Sequence, residues 1–158
     1  MTSRAHHRHE RGVLDTSTLI LLTRLQDANL LPQEPVITAV TLAELSVGPL
    51  VAKTDEERAA RQAQVQQAES DFDPLPFDVA AARAFGRVAL ALRRSGRSVK
   101  PRAYDVMIAA TAIANGLPLY TCNPKDFNGI DGLTVVPVPV PTPGVSEPAP
   151  RGKRRSPM

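Results

Sequence analysis

The chain has 158 residues, 42% of them hydrophobic, with four Phe, two Tyr and no Trp, enough for one domain around one aliphatic core. No apolar run reaches the roughly 18–20 residues that span a bilayer, and no secretory leader follows the basic N-terminus, so a cytoplasmic protein is expected; the single Cys122 excludes an internal disulfide and a cysteine-cluster metal site. The formal charge of +3 belongs to the tails, because residues 12–136 hold twelve basic and fourteen acidic side chains, so any case for nucleic acid must rest on local features.

Residues 1–11, including His6, His7 and His9, are polar and aperiodic and read as a disordered leader. Val13-Leu14 ends a short strand; Thr16 or Ser17 then offers a cap for an apolar helix over 19–25. Residues 36–40, Val-Ile-Thr-Ala-Val, read as a buried strand, followed by a helix over 41–51. A polar helix is expected over 55–70, a proline-edged strand over 73–77, and a helix capped by Asp78 running to about residue 94. A helix over 104–115 stops at Asn115-Gly116. Strands over 117–121 and 133–136 complete the domain, which is bounded at 12–136. The last 22 residues contain seven prolines and end in Arg151, Lys153, Arg154 and Arg155, an extended basic tail. Short apolar strands alternating with helices imply an α/β fold, a parallel sheet covered on both faces.

In such sheets ligands bind beyond the carboxyl ends of the strands. Asp15 follows the first strand, and Asn123 and Asp126 follow the strand over 117–121. Glu44 lies in the first turn of the helix after the second strand, and Asp105 opens the helix before the strand over 117–121. Each has a structural reading. Asp15 can cap a helix, Thr41-x-x-Glu44 has the form of a capping box, Asp105 suits a helix N-terminus, and Asn123 with Asp126 can form an Asn-Pro turn. Yet Asp105 shares its helix face with Ala109 and Ala112, where an uncompensated carboxylate is costly. Several carboxylates drawn to one edge repel one another unless a divalent cation joins them. Hard oxygen donors select Mg²⁺ or Mn²⁺, and the lack of any histidine after residue 9 argues against zinc. A carboxylate-held cation suits phosphodiester hydrolysis.

At Asp15-Thr-Ser, Thr41-Leu-Ala-Glu44-Leu, Asp105-x-x-Ile108-Ala-Ala-Thr and Thr121-Cys-Asn123-x-x-Asp126-Phe127, the sequence resembles the PIN-domain nucleases, and more narrowly the VapC toxins of toxin–antitoxin pairs. The resemblance covers about residues 12–136. It implies a Rossmann-like parallel sheet, a Mg²⁺-dependent endoribonuclease acting on RNA, a homodimer, and a hetero-oligomer with a VapB-type antitoxin. Asp15, Glu44 and Asp105 match the first three acidic positions, Asp15 and Asp105 being those assigned to the metal. Asp126 is the expected fourth acid and Asn123 an orienting hydrogen-bonder.

Arg93, Arg94, Arg97, Lys100 and Arg102 follow one another without an acid, just before Asp105. Gly96 and Pro101 mark a loop there, and Arg97, Lys100 and Arg102 are the expected phosphate contacts. Two other functions compete with the nuclease. A PIN-like module that binds RNA or a protein without cutting would be expected to lack one of the acids. A phosphatase with a strand-end Asp-x-Asp would need an acid at position 17, where Ser17 stands.

Overall fold

The computed structural model describes residues 9–140 apart from residue 26. The histidines at 6 and 7 and the basic end of the tail lie outside the described residues. The elements in order are β1 (Arg11–Leu14), α1 (Thr16–Ile20), β2 (Glu34–Val36), α2 (Ala39–Val47), α3 (Asp55–Asp71), α4 (Val79–Arg94), α5 (Ala103–Ala114), β3 (Leu119–Thr121) and β4 (Val135–Pro137). Short 3-10 turns join several of them, including Lys100–Arg102 ahead of α5. The strands form one parallel sheet in the order β2-β1-β3-β4.

Strand side chains alternate between two faces. Val13, Val36, Leu119 and Val135 pack with Val88 and Leu92 of α4 and Val106, Ala109 and Ala112 of α5. Their neighbours Leu14, Tyr120 and Val136 pack on the other face with Leu31, Cys122, Val138 and residues after β1. Ile37, Leu45, Val65 and Ala68 form a further cluster that joins α2 to α3. The α/β sandwich implied by the alternating elements is therefore present, and Cys122 is a small buried residue with a free thiol. Burial of each large aliphatic side chain here stabilises the fold by about 1.5–3 kcal/mol.

The structure moves several expected boundaries. The run Val-Ile-Thr-Ala-Val does not stay extended: Thr38 caps α2 by accepting the amide of Thr41 at 3.2 Å, so the helix starts at Ala39. The first helix also starts early and ends early, with Asp15 as its cap in place of Thr16 or Ser17. The expected strand over 73–77 is a single bridge between Thr38 and Leu75. Pro74 and Pro76 flank Leu75 and have no amide to donate, so the ladder cannot extend. Pro137 pairs with Thr121 in β4, and Val138 is buried and donates its amide to Thr121 O at 2.8 Å, so packing continues past residue 136.

Strand order sets the position of the crevice. The connection from β1 leads to β2 on one side, and the chain then returns to place β3 on the other side of β1. The carboxyl ends of β1 and β3 thus flank the point where strand order reverses, where open parallel sheets leave room for a ligand.

Gly12 tests the packing of β1. A Cβ built there would lie 2.5 Å from Tyr120 Cε2 and 3.2 Å from Pro32 Cβ. Both neighbours are buried, so Gly12→Ala is expected to destabilise the fold by about 1–3 kcal/mol through overpacking. Urea unfolding that shows no loss of stability would contradict this packing.

Candidate active site

Asp15 terminates β1 with only 3% of its surface exposed. A carboxylate so buried needs donors. Its Oδ1 accepts the Thr18 amide at 3.0 Å, which caps α1, and its Oδ2 accepts the Thr121 hydroxyl at 2.6 Å. The Ser17 hydroxyl adds longer contacts at 3.4 Å. The capping role expected of Asp15 is therefore real, yet it uses one oxygen, and the other is held by Thr121.

Glu44 is not the reciprocal partner of a capping box, because the cap is Thr38 and Glu44 lies beyond the first turn of α2. Its Oε1 instead accepts the Thr16 hydroxyl at 2.8 Å. Thr16 and Thr41 hydroxyls lie 3.0 Å apart. With the Thr16 proton given to Glu44, Thr41 is the donor in that second bond, and a relay runs from Thr41 through Thr16 to the carboxylate. Burial pushes the Glu44 carboxyl above its ordinary range, the Thr16 hydrogen bond pulls it back, and the charge of Asp15 raises it further.

Asp105 sits in the first turn of α5 and accepts no hydrogen bond from the described residues. Its carboxyl is pushed up to about 6. Burial is the largest cause, followed by the charges of Asp126, Glu44 and Asp15, with Arg102 acting in the opposite direction. Asp126, Glu44 and Asp15 thus lie near enough for their charges to act on Asp105. Arg102 Nη1 also lies 3.4 Å from Asp126 Oδ1, a partly exposed pair worth little to stability but fixed beside the acids. Asn123 is exposed; its Nδ2 donates to Ser17 Oγ at 3.2 Å, and its amide donates to Thr121 Oγ1 at 2.9 Å.

Among the described residues no three acids close into a compact ligand cage. The arrangement is instead open, with the charges of Asp126, Glu44 and Asp15 acting on Asp105 and Arg102 opposing them. That donor set fits a hard divalent cation of the Mg²⁺ type, which keeps several waters and needs only one or two carboxylates. The uncompensated charge at Asp105 is the feature such an ion would relieve.

Of the expected phosphate contacts, only Arg102 acts on Asp105. Arg97 and Lys100 line a separate groove with Phe85 and Arg93. The hydroxyls of Thr16, Thr41 and Thr121 orient Glu44 and Asp15, a role that the sequence does not display: there Thr16 and Thr41 read as helix caps and Thr121 only as part of a motif.

A family profile described as the PIN domain matches residues 12–133. The chain is 42% identical over 129 residues to Ribonuclease VapC5 of Mycobacterium tuberculosis, covering 80% of this chain and 93% of that protein. It is 33% identical over 127 residues to the tRNA(fMet)-specific endonuclease VapC of Shigella flexneri, covering 77% and 92% respectively. In structure it resembles the VapBC-5 toxin–antitoxin crystal structure from Mycobacterium tuberculosis, with a TM-score of 0.71 at 39% identity, covering 82% of this chain and 99% of that one. With residues 12–133 matched, a span that holds Asp15, Glu44, Asp105 and Asp126, the chain belongs to the PIN-domain family, in its VapC ribonuclease branch.

Proposed function

We propose that the protein is the toxin of a toxin–antitoxin pair, an endoribonuclease that hydrolyses RNA phosphodiester bonds with a divalent cation, Mg²⁺ or Mn²⁺. The observation that carries this reading is the charge coupling of Asp105 to Asp126, Glu44 and Asp15 at the switch point of the sheet. The relatives support the activity: they are named as ribonucleases and a tRNA-specific endonuclease, and the structural neighbour is a VapBC complex. They also support a VapB-type antitoxin partner, and the reading extends to a toxin homodimer in the cytoplasm. Among the described residues no helix is long and apolar enough to cross a membrane.

Asp15 and Asp105 would hold the cation, Asp15 already oriented by Thr18 and Thr121, Asp105 free of competing donors. A cation held there supplies positive charge to the phosphoryl oxygens and lowers the pKa of a bound water. Glu44 offers Oε2, unused by Thr16, as a proton acceptor, and its raised carboxyl brings it closer to the working pH of a general base. Asp126 completes the acidic set under the hold of Arg102. Asn123, Arg97, Lys100 and Arg102 are the proposed contacts to the RNA backbone.

Three outcomes test this. Purified protein should cut RNA, and both excess EDTA and Asp105→Asn should reduce the rate by about a hundredfold or more while circular dichroism stays unchanged; undiminished cleavage in EDTA defeats the reading.

The second outcome concerns pH. Asp105 rises from 3.8 in the free side chain to about 6 in the fold. A carboxyl raised by folding favours the fold below its unfolded pKa, and that contribution is lost as pH climbs through the folded value. In EDTA, melting temperature across that window should fall more steeply for the parent than for Asp105→Asn. Mg²⁺ added on the alkaline side should raise it in the parent and leave the variant unmoved.

Thirdly, Thr16→Val removes the hydrogen bond that lowers the Glu44 carboxyl. The acidic limb of the rate–pH profile should move to higher pH and the maximal rate fall about tenfold. An unshifted limb would remove Glu44 from the proton-accepting role.

A further inference from the structure

One groove on the described surface has chemistry opposite to that of the acids. It runs between α4 and the turn that leads into α5. Phe85, Val99 and Ala103 supply its apolar lining, and Arg93, Arg97 and Lys100 supply its charge. No carboxylate lines it, and none of the three cations is ion-paired among the described residues. Arg97 is partly buried and its Nη1 is enclosed without a hydrogen-bond acceptor. A buried donor left unmatched is costly, and that cost falls on a residue that also lines the groove. The Phe85 ring is steadied edge-on by Phe77, with centroids 6.4 Å apart and planes at 84°.

We propose that this groove is a subsite for one unpaired nucleotide of single-stranded RNA, its base against Phe85 and its flanking phosphates against Arg93, Arg97 and Lys100. The inference rests on the ribonuclease reading and deepens it by placing one nucleotide of the substrate on named residues away from the acids. An aromatic face beside arginines binds bases with little sequence preference, because every base has a face to stack. A paired base is unavailable to such a surface, since it is held inside the helix and A-form grooves expose edges rather than faces. The lining offers no side-chain amide or acid that would read a base edge. Continuity with the acids favours the same occupant. Lys100 and Arg102 share one 3-10 turn, and that turn runs directly into the helix carrying Asp105. A strand anchored in the groove at Lys100 is therefore one turn from Arg102, which touches Asp126.

The test uses the full chain carrying Asp105→Asn, which holds RNA without cutting it, and fluorescent RNA oligonucleotides read by anisotropy over a range of salt. Adding Arg93→Gln, Arg97→Gln and Lys100→Gln together should weaken single-strand binding about tenfold or more. The slope of log affinity against log salt should become shallower by about 1–2, at roughly 0.7 per phosphate released. Phe85→Leu keeps apolar volume and loses the ring. It should cost about five- to tenfold in affinity for the single strand and leave a fully paired duplex of the same sequence unaffected. Photo-crosslinking from 4-thiouridine should label the peptide containing Phe85. Parent affinity and salt slope in the triple variant overturn the proposal, as does an equal loss for single strand and duplex in Phe85→Leu. A change of oligomeric mass with RNA affinity unchanged assigns the groove to a second copy instead. If the unsubstituted chain cuts RNA while the groove variants bind as their parent does, the groove assignment alone fails; if it neither binds nor cuts RNA, the ribonuclease reading fails with it.

Discussion

Asp15 is a charged group placed where charge is expensive, and much of the local architecture is the answer to that expense. At the end of a strand with 3% exposure, its carboxylate must be met by donors. The Thr18 amide meets one oxygen and thereby starts α1; the Thr121 hydroxyl meets the other and thereby ties the end of β1 to the end of β3. The same residues then spread the network. Cys122 donates its amide to the Thr18 hydroxyl at 3.0 Å, and Asn123 reaches both Thr121 and Ser17. The neighbouring strands are thus locked in register at the point where sheet order reverses. The group that would hold a cation is also the group that shapes the crevice around it.

Asp105 is the complement of this arrangement. It receives no hydrogen bond from the described residues, and burial, followed by the charges of three other acids, raises its carboxyl to about 6. One acid is therefore satisfied in advance by the fold, and the other is left in need of a counter-charge. Arg102 supplies part of that charge from the edge. A divalent cation between the two would find one rigid ligand and one whose repulsion it removes, so binding energy would come mainly from relief at Asp105. This division also explains why α5 can be so apolar. Val106, Ile108, Ala109, Ala110 and Ala112 are all buried, and the single carboxylate on the helix lies in its first turn, at the open end of the sheet.

The sequence carries the alternation of strands and helices plainly, and with it the acids at the strand ends. Asp78 as a cap, Asn115-Gly116 as a stop and the long helices α3 and α4 are legible from side-chain chemistry alone. The ambiguity sits in residues 36–41. A β-branched run reads as strand, and Thr41-x-x-Glu44 reads as a capping box, but Thr38-x-x-Thr41 offers a second cap three residues earlier. Local sequence does not decide between two threonines with similar capping ability. The bridge from Leu75 on both sides of Thr38 does, because it draws the chain out at Ile37 and Ala39 and leaves Thr38 as the turning point. The consequence for the site is direct: with the helix begun early, Glu44 is released from capping and meets Thr16. The hydroxyl network was hidden for a similar reason, since Asp15 and Thr121 stand more than a hundred positions apart in the chain and meet only when β1 and β3 pair.

The acidic cleft poses a problem for any polyanionic substrate, since like charge lowers its local concentration. Total charge does not solve it, because the basic excess lies in the terminal segments and residues 12–136 are slightly acidic. Placement does. The basic residues between α4 and α5 divide into two sets. Arg102 faces the acids and pairs with Asp126, so part of its charge is already spent on them. Arg93, Arg97 and Lys100 line the groove beyond the turn, where no acid lowers their potential. Because one short 3-10 turn joins the two sets, its rigidity fixes the groove relative to Asp105 more tightly than a flexible loop would. Attraction and chemistry can then be separated in space and still act on one strand. Cations mixed directly among the carboxylates would pair with them and weaken the very repulsion that makes a bound divalent ion favourable.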